Sequence, residues 1–284
     1  METNKDKLVM FSVSGKVHHP TGADRYRINC QTGKGFILPA VGGIVYNYKI
    51  GDSCMNIEGD HIEPGVSIKN ADLGENNALN MFACIGNECR IISGDAKGKK
   101  GFVTGKHGGI DHVICYFDDE TLDLLAVDDK IQIKAYGTGL KLEGYDDIGL
   151  MNIDPKLLEK MNVRLNKDFI EVDVTTKIPA FLMGSGLGAG TAQSGDYDVM
   201  CFDKEANKRY KLDELKFGDI VLIEDHYCQY GYNYHKGAIS IGVIVHSDCL
   251  QSGHGPGVAI IMTCKTNKIK GNILEKANIS NYLL

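Results

Sequence analysis

Glycine is the residue that most restricts what this chain can fold into. The sequence contains 34 glycines in 284 residues, with six prolines and no tryptophan, whereas glycine averages roughly 7% of globular proteins. Glycine costs conformational entropy inside helices and strands and is favoured where the chain turns tightly. Because the glycines are interleaved with valine, isoleucine and tyrosine, they predict many short strands joined by tight turns. We therefore expect an α+β protein that is mainly β, with few short helices.

Composition and charge narrow the class of protein. Apolar residues make up 43% of the chain and charged residues 24%, and the net charge is −6. A protein that binds nucleic acid by neutralising phosphates is generally more basic, so we expect a small-molecule ligand and no nucleic acid. The N-terminus has no apolar signal segment, and no apolar run is long enough for a membrane helix. The nine cysteines include no C-x-x-C pair, which predicts reduced thiols and a cytoplasmic location.

Two segments give the clearest local predictions. Residues 129–136 alternate apolar and polar side chains, which predicts a half-exposed strand. Residues 154–161 have the best helical pattern, because Asp154 suits the N-cap and Pro155 suits the first helical position.

The sequence divides into two predicted domains. A less regular stretch, residues 140–153, predicts a boundary near residue 150, with a β-rich N-terminal domain over 1–150 and a β-rich C-terminal domain over 151–284. A weak internal repeat favours two related halves. Residues 109–115 and 195–201 both consist of a glycine loop, an acidic residue and an apolar strand.

Residues 88–105 predict a β-hairpin whose turn is similar to the KOW motif of ribosomal and transcription proteins. Lys97, Lys99 and Lys100 form its basic tip. Three lysines at a hairpin tip suit phosphate binding, and they equally suit a solvated hairpin end at which charge prevents edge pairing. The negative net charge and the lack of interleaved aromatic residues favour the solvated hairpin.

A glycine-rich run at residues 184–190, GSGLGAG, invites comparison with dinucleotide-binding loops. Its spacing is G-x-G-x-x-x-G rather than G-x-G-x-x-G, and the helical pattern that such a loop requires does not follow it. We therefore expect no nucleotide cofactor. A loop with so little side chain lets the backbone approach a ligand closely, so Gly184, Ser185 and Gly186 are predicted to bind substrate.

The stretch from residue 219 to residue 257 concentrates polar chemistry. Four of the nine histidines lie in it, among several carboxylates. In its apolar run 238–246, strand alternation places the bulky aliphatic side chains on one face and His246, with mostly small residues, on the other. The small face predicts close packing against a neighbour, and His246 at its end is expected to lie in a pocket.

Other histidines also lie beside carboxylates. They occur in Asp60-His61-x-Glu63 and in the segment 107–112, which contains Asp111. Imidazole and carboxylate together suit Zn²⁺ or another divalent ion, and a neighbouring acid can orient a ligating histidine. The same pairs suit metal-free acid–base catalysis near neutral pH, and no spacing matches a metal signature such as H-E-x-x-H. Histidines scattered on the polar loops of a β protein are the simplest alternative.

The predicted site combines metal ligands, proton carriers and backbone donors. The predicted metal ligands are His107, His112, Asp225, His226 and His246. The predicted catalytic residues are Glu63, Asp111 and His254. Gly253 and Gly255 join the glycine run as predicted substrate-binding residues. We expect the C-terminal histidines to face the segment 107–112 across a cleft between the two halves.

Four motifs carry a resemblance to a known family. They are GDHIEPGVSIKN (59–70), SGDAKGKKGFVTGKHGGIDHV (93–113), MGSGLGAG (183–190) and GVIVHSDCLQSGHGPGV (242–258). Together they resemble a prokaryotic family of unknown function, typified by a structural-genomics protein from a hyperthermophile, over nearly the whole chain. The resemblance implies a soluble, β-rich protein and no particular activity. HGGIDHV and the GD-x-V strand starts are more loosely similar to the acetamidase/formamidase family, whose long acidic histidine motif this chain lacks.

The leading hypothesis is a metal-dependent hydrolase that acts on the C–N bond of a small polar, amide-like substrate, at a site between the two halves. The alternative is a non-catalytic module that binds a small metabolite or RNA, or that takes part in assembly. The glycine and apolar content would also suit a homo-oligomer interface.

Overall fold

Most of the regular backbone pairs into sheets, as the composition predicts. The computed structural model describes residues 1–22, 26–184 and 190–284. The strands of the first half are β1 (Phe11–Val17), β2 (Arg27–Ile28), β3 (Gly35–Phe36), β4 (Ile44–Val45), β5 (Gly65–Lys69), β6 (Glu88–Ile91), β7 (Lys100–His107), β8 (His112–Tyr116) and β9 (Lys130–Ala135). The strands of the second half are β10 (Ile148–Leu150), β11 (Arg164–Leu165), β12 (Ile170–Val174), β13 (Thr176–Pro179), β14 (Tyr197–Asp198), β15 (Ile220–Tyr227), β16 (Asn233–Ile244), β17 (Gly257–Cys264) and β18 (Ile269–Ile273).

Helices are short. The α-helices are α1 (Leu73–Phe82), α2 (Asp119–Leu124), α3 (Pro155–Lys160), α4 (Lys204–Tyr210) and α5 (Ser280–Leu283). In the described ranges, 3-10 helices span Lys5–Lys7, Ala180–Leu182 and Leu212–Glu214. The prediction for α3 is confirmed, because Asp154 accepts a hydrogen bond from the backbone N–H of Lys156 and proline occupies the first turn.

Six strands of the first half close into an antiparallel barrel. Their order is β1-β9-β6-β7-β8-β5, β5 pairs back with β1, and β4 extends the sheet beside β5. The strand predicted over residues 129–136 is β9, in which Ile131 and Ile133 are fully buried while the alternating polar residues are exposed. The predicted hairpin is formed by β6 and β7, and the amine of Lys100 lies 3.3 Å from the Glu88 carboxylate, as on a solvated hairpin.

The second half is built on a six-stranded sheet that is buried on both faces. Its order is β10-β17-β16-β15-β13, and β14 pairs with β17. One face packs against the small sheet β11-β12-β18. The predicted alternation in β16 is confirmed, because Ile239, Ile241, Val243 and Val245 share the core on that face and Ile244 belongs to the core on the other. Close packing on the small face is also confirmed, since a Cβ at Gly242 would lie 2.3 Å from Val258 Cγ1.

The nine cysteines are free thiols and most are buried, as expected of reduced core residues. Within the described ranges, no helix has the length and apolar character needed to cross a membrane.

The two halves pack tightly against each other where the backbone of a glycine contacts a valine side chain. Gly105 of β7 is buried, and a Cβ at this position would lie 2.5 Å from Val245 Cγ1. Val245 follows the end of β16 and leads directly to His246. Contact between the barrel and the second sheet at this point therefore sets the position of His246.

We predict that Gly105→Ala destabilises the protein by about 1–3 kcal/mol, because the added methyl group overpacks the contact with Val245. Urea unfolding measures the change. The matched control is Gly35→Ala, at which a Cβ has 3.5 Å of clearance from Tyr26; it should change the free energy of unfolding by less than about 0.5 kcal/mol. Equal stability of Gly105→Ala and the wild type would contradict the close contact.

Candidate functional site

The site lies at the seam between the halves, where two loops exchange hydrogen bonds. The N–H of Ser247 donates to the carbonyl of Ile62 at 2.9 Å, and the N–H of Asp248 donates to the carbonyl of Cys54 at 3.0 Å. The hydroxyl of Ser247 also accepts from the N–H of Ile62 at 2.8 Å. These contacts hold the loop before β5 against the loop that carries His246.

Glu63 anchors the first-half side of the site. Its fully buried carboxylate accepts from His107 Nδ1 at 2.5 Å, from His112 Nδ1 at 2.9 Å and from the hydroxyl of Ser67. The register of β7 and β8 places His107 opposite His112, so one carboxylate orients both rings. Burial acts to raise the pKa of Glu63, but the two imidazoles outweigh it and hold that pKa well below its ordinary value.

His107, Asp196 and His246 converge from three separate elements. They are all buried, and one ligand-capable atom from each lies within 4.8 Å of the others. Each side chain also has one atom that is hydrogen-bonded to the protein. Glu63 accepts from His107 Nδ1, and Asp196 Oδ1 accepts from the N–H of Gly108 at 2.8 Å. The carbonyl of Ser247 accepts from His246 Nδ1 at 2.9 Å. These hydrogen bonds do not use Nε2 of either histidine or Oδ2 of the aspartate.

Two of these atoms are unsatisfied. Asp196 Oδ2 and His246 Nε2 are buried and have no hydrogen-bond partner in the described part of the chain. They lie 2.7 Å apart, at the distance of an ion pair. Buried polar atoms are nearly always satisfied in folded proteins, and a cation bound by both atoms could satisfy this pair.

A second group adjoins the first. His254 Nδ1 lies 3.0 Å from Asp198 Oδ2 and 3.3 Å from His61 Nε2. Asp198 Oδ1 lies 3.4 Å from His246 Nε2, so this carboxylate connects the two groups. The side chain of His254 is 37% exposed, whereas Asp198 and His61 are buried.

The conformation of His61 brings Asp60 into the cluster. An extended segment would point neighbouring side chains to opposite faces, but His61 has a left-handed φ of 56°. Asp60 Oδ1 consequently lies 3.0 Å from His61 Nδ1, and its other oxygen lies 2.5 Å from the Arg27 guanidinium.

Carboxylates dominate the electrostatics of the cluster. Burial lowers the pKa of His246, but Asp196 and Asp198 outweigh it and raise that pKa to about 10. Burial acts to raise the pKa of Asp198, while its hydrogen bonds to the surrounding imidazoles hold that pKa far below its ordinary value. The site therefore favours positive charge.

The predicted ligands Asp225 and His226 are not brought to this cluster. Strand register places His226 opposite Tyr234, whereas the end of β16 that leads to His246 lies opposite Ile220. Asp225 has a left-handed φ at a β-bulge and accepts from the N–H of Gly237. Burial lowers the pKa of His226 to about 4, and its Nδ1 lies 2.8 Å from the hydroxyl of Ser240.

Two other predicted residues lie outside the groups of metal-capable atoms described above. His112 Nδ1 faces Glu63, and its Nε2 lies 3.2 Å from His18 Nδ1. Asp111 lies in the turn between β7 and β8, where its carbonyl accepts from the side-chain amides of Asn76 and Asn80. Neither carboxylate oxygen of Asp111 belongs to the three described groups of metal-capable atoms.

The predicted glycines have packing roles in the described structure. A Cβ at Gly184 would lie 2.0 Å from the carbonyl oxygen of Gly253, and a Cβ at Gly255 would lie 1.7 Å from that of Val199. The N–H of Gly184 donates to the carbonyl of Asp198. These contacts bring the segments that carry Asp198 and His254 close to each other and to Gly184. Ser185 and Gly186 lie outside the described residues, and substrate binding by the glycines stays a prediction.

Sequence reasoning missed Asp196 and Asp198 as functional residues. The signal that could have found them is the D-x-D spacing after Gly195, because alternate residues of a strand share a face.

Comparisons with known proteins identify a family without an assigned activity. Family models described as "Domain of unknown function (DUF4438)", N-terminal and C-terminal, match residues 26–159 and 160–283. A solved structure, "Crystal structure of TM1086", is 48% identical, with a TM-score of 0.95, over 100% of this chain and 99% of that chain. No curated protein matches. The resemblance to a family of unknown function is confirmed, and the similarity to acetamidase/formamidase is not shown.

We predict that Glu63→Gln lowers the free energy of unfolding of the metal-free protein by on the order of 3 kcal/mol. The buried carboxylate accepts hydrogen bonds from two imidazoles and a hydroxyl, whereas glutamine has one acceptor oxygen. Breaking a buried charge network is costly. Urea unfolding measures the effect. Glu58→Gln is the matched control, because Glu58 is exposed, and it should leave stability unchanged. Equal stability of the two variants would contradict an anchoring role for Glu63.

Proposed function

The chain belongs to the DUF4438 family, and from that premise, with no activity to transfer, we propose that the site is the divalent-metal centre of a hydrolase. Its substrates would be small, polar and amide-like. The observation that carries the proposal is the convergence of His107, Asp196 and His246, each with one atom held by the protein and one left for a ligand.

The donor set suits a metal ion. Two imidazoles and one carboxylate are typical protein ligands of catalytic zinc. Histidine ligands normally use their other ring nitrogen on a carboxylate or a carbonyl, which fixes the tautomer and the ring direction. Glu63 serves His107 in this way, and the carbonyl of Ser247 serves His246.

A protonated histidine is the metal-free alternative for balancing the charge. Protonated His246 would be expected to direct its Nε2–H at Asp196 Oδ2, because charge-assisted hydrogen bonds are short and well aligned. The two atoms are 2.7 Å apart, yet neither has a hydrogen-bond partner in the described part of the chain. A cation bound by both atoms would balance the same carboxylate charge and needs no alignment between them, which supports the metal.

Hydrolysis fits the surroundings better than oxidation. Two histidines and a carboxylate also hold non-haem iron, but a second group of donors, His61, Asp198 and His254, adjoins this one. Clustered metal donors of this kind are typical of hydrolytic centres.

Amide hydrolysis consumes one water: the carbonyl carbon gains oxygen, the C–N bond breaks, and the amine leaves with a proton. A bound divalent ion supplies polarisation of the carbonyl and a lower pKa for water.

The enclosure of the site favours a small substrate. The ligand-capable side chains are buried except that of His254, which is 37% exposed. A substrate would therefore approach past His254. Glu63 touches neither that opening nor solvent, so its proposed role is to orient His107 and His112.

Gly257→Ala tests the metal centre without removing a ligand. A Cβ at this position would lie 2.0 Å from Asp196 Oδ2 and 2.2 Å from His246 Nε2, so it would displace both atoms. We predict that Gly257→Ala and Asp196→Asn each lose one equivalent of bound Zn²⁺ in calorimetric titration. Both should also lose at least about 100-fold of metal-dependent amide hydrolysis, measured as amine release from a panel of small amides.

The control is Gly35→Ala, which should bind Zn²⁺ as the wild type does. A wild type that binds no Zn²⁺, or a Gly257→Ala variant that binds it unchanged, would overturn the metal centre. Zn²⁺ binding without hydrolysis of any amide in the panel would instead favour the non-catalytic binding module.

A further inference from the structure

We propose that the site takes two divalent ions, the second lying between His61, Asp198 and His254, with Asp198 as the bridging carboxylate. This inference rests on the proposed function, because it places the first ion between His107, Asp196 and His246. The three donor atoms of the second group lie within 4.8 Å of one another, as do those of the first.

The two groups are adjacent. The ring centroid of His61 lies 5.1 Å from that of His246 and 5.7 Å from that of His107. Two-metal hydrolytic sites hold their ions about 3.5–4 Å apart. Ions at that spacing need donor groups that lie next to each other, as these two groups do.

Asp198 has the geometry of a bridge. Its Oδ1 lies 3.4 Å from His246 Nε2 in the first group, and its Oδ2 lies 3.0 Å from His254 Nδ1 in the second. One oxygen is therefore directed to each group. Because the carboxylate is buried, neighbouring groups rather than solvent must balance its charge.

The donor atoms of the second group face one another. His254 Nδ1 lies near both Asp198 Oδ2 and His61 Nε2, at 3.0 Å and 3.3 Å. A cation placed among them would accept electron pairs from all three side chains.

The remaining atoms of His61 are arranged as those of a metal ligand. Asp60 Oδ1 lies 3.0 Å from His61 Nδ1, and Asp60 is itself held by Arg27 and by Cys249 Sγ at 2.9 Å. This pattern of a carboxylate behind the imidazole is the usual support of a ligating histidine. It leaves Nε2 directed at Asp198 and His254.

Metal stoichiometry tests the second ion. Protein stripped with a chelator is titrated with Mn²⁺, desalted, and analysed for bound metal and by electron paramagnetic resonance. The wild type should retain two equivalents with an exchange-coupled spectrum, and His254→Ala should retain one with a mononuclear spectrum. His254→Ala is expected to fold, because the side chain is 37% exposed. His235→Ala is the matched control, since His235 lies at the N-terminal end of β16 and His246 follows its C-terminal end.

The outcomes separate this inference from the proposed function. Two equivalents that fall to one in His254→Ala, but not in His235→Ala, support the second ion. One equivalent that His254→Ala keeps and Asp196→Asn loses overturns the second ion and leaves the first in place. Two equivalents that His254→Ala does not reduce overturn the placement of the second ion beside His254. No bound Mn²⁺ and no bound Zn²⁺ in the wild type would overturn both proposals.

Discussion

The burial of carboxylates at the seam between the two halves is the constraint on which the structure around the site depends. A buried carboxylate is costly unless it is paired and hydrogen-bonded. Glu63 is paired within the first half by His107 and His112, and two further contacts cross the seam. Asp196 accepts from Gly108, and Asp198 lies against His61. The polar network therefore holds the halves in register, and the same contacts leave donor atoms pointing into one space.

Glycine allows the close packing that this network requires. At Gly257, Gly184 and Gly105, a side chain would collide with Asp196 and His246, with a neighbouring loop or with the other half, respectively. The high glycine content of the sequence is thus explained partly by close approach around the seam and not only by turns. A barrel and a two-sided sheet can meet this tightly only where one backbone presents no Cβ.

Local features of the fold were predictable because they depend on neighbouring residues. Alternation identified β9 and the two faces of β16, and the Asp-Pro pair identified the start of α3. Pairing of histidine with acid indicated His107, His246, His254 and Glu63, all of which lie at the seam. Asp225 and His226 showed the same local pairing, yet the register of β15 and its bulge direct them elsewhere. The sequence pattern does not reveal a bulge, because one extra residue changes the face without changing the composition.

The sequence by itself determined the β-rich class, the strand faces and a set of residues capable of binding a metal, since periodicity and side-chain chemistry are local properties. Only the tertiary structure decided which of them meet. Asp196 and Asp198 lie far along the chain from His61 and His107, and closure of the barrel against the second sheet brings them together. It also decided which atoms are already hydrogen-bonded, because Glu63 accepts from His107 and Asp196 accepts from Gly108 across distant segments of the chain. Non-local contacts of this kind depend on the packing of whole elements, which no window of sequence contains.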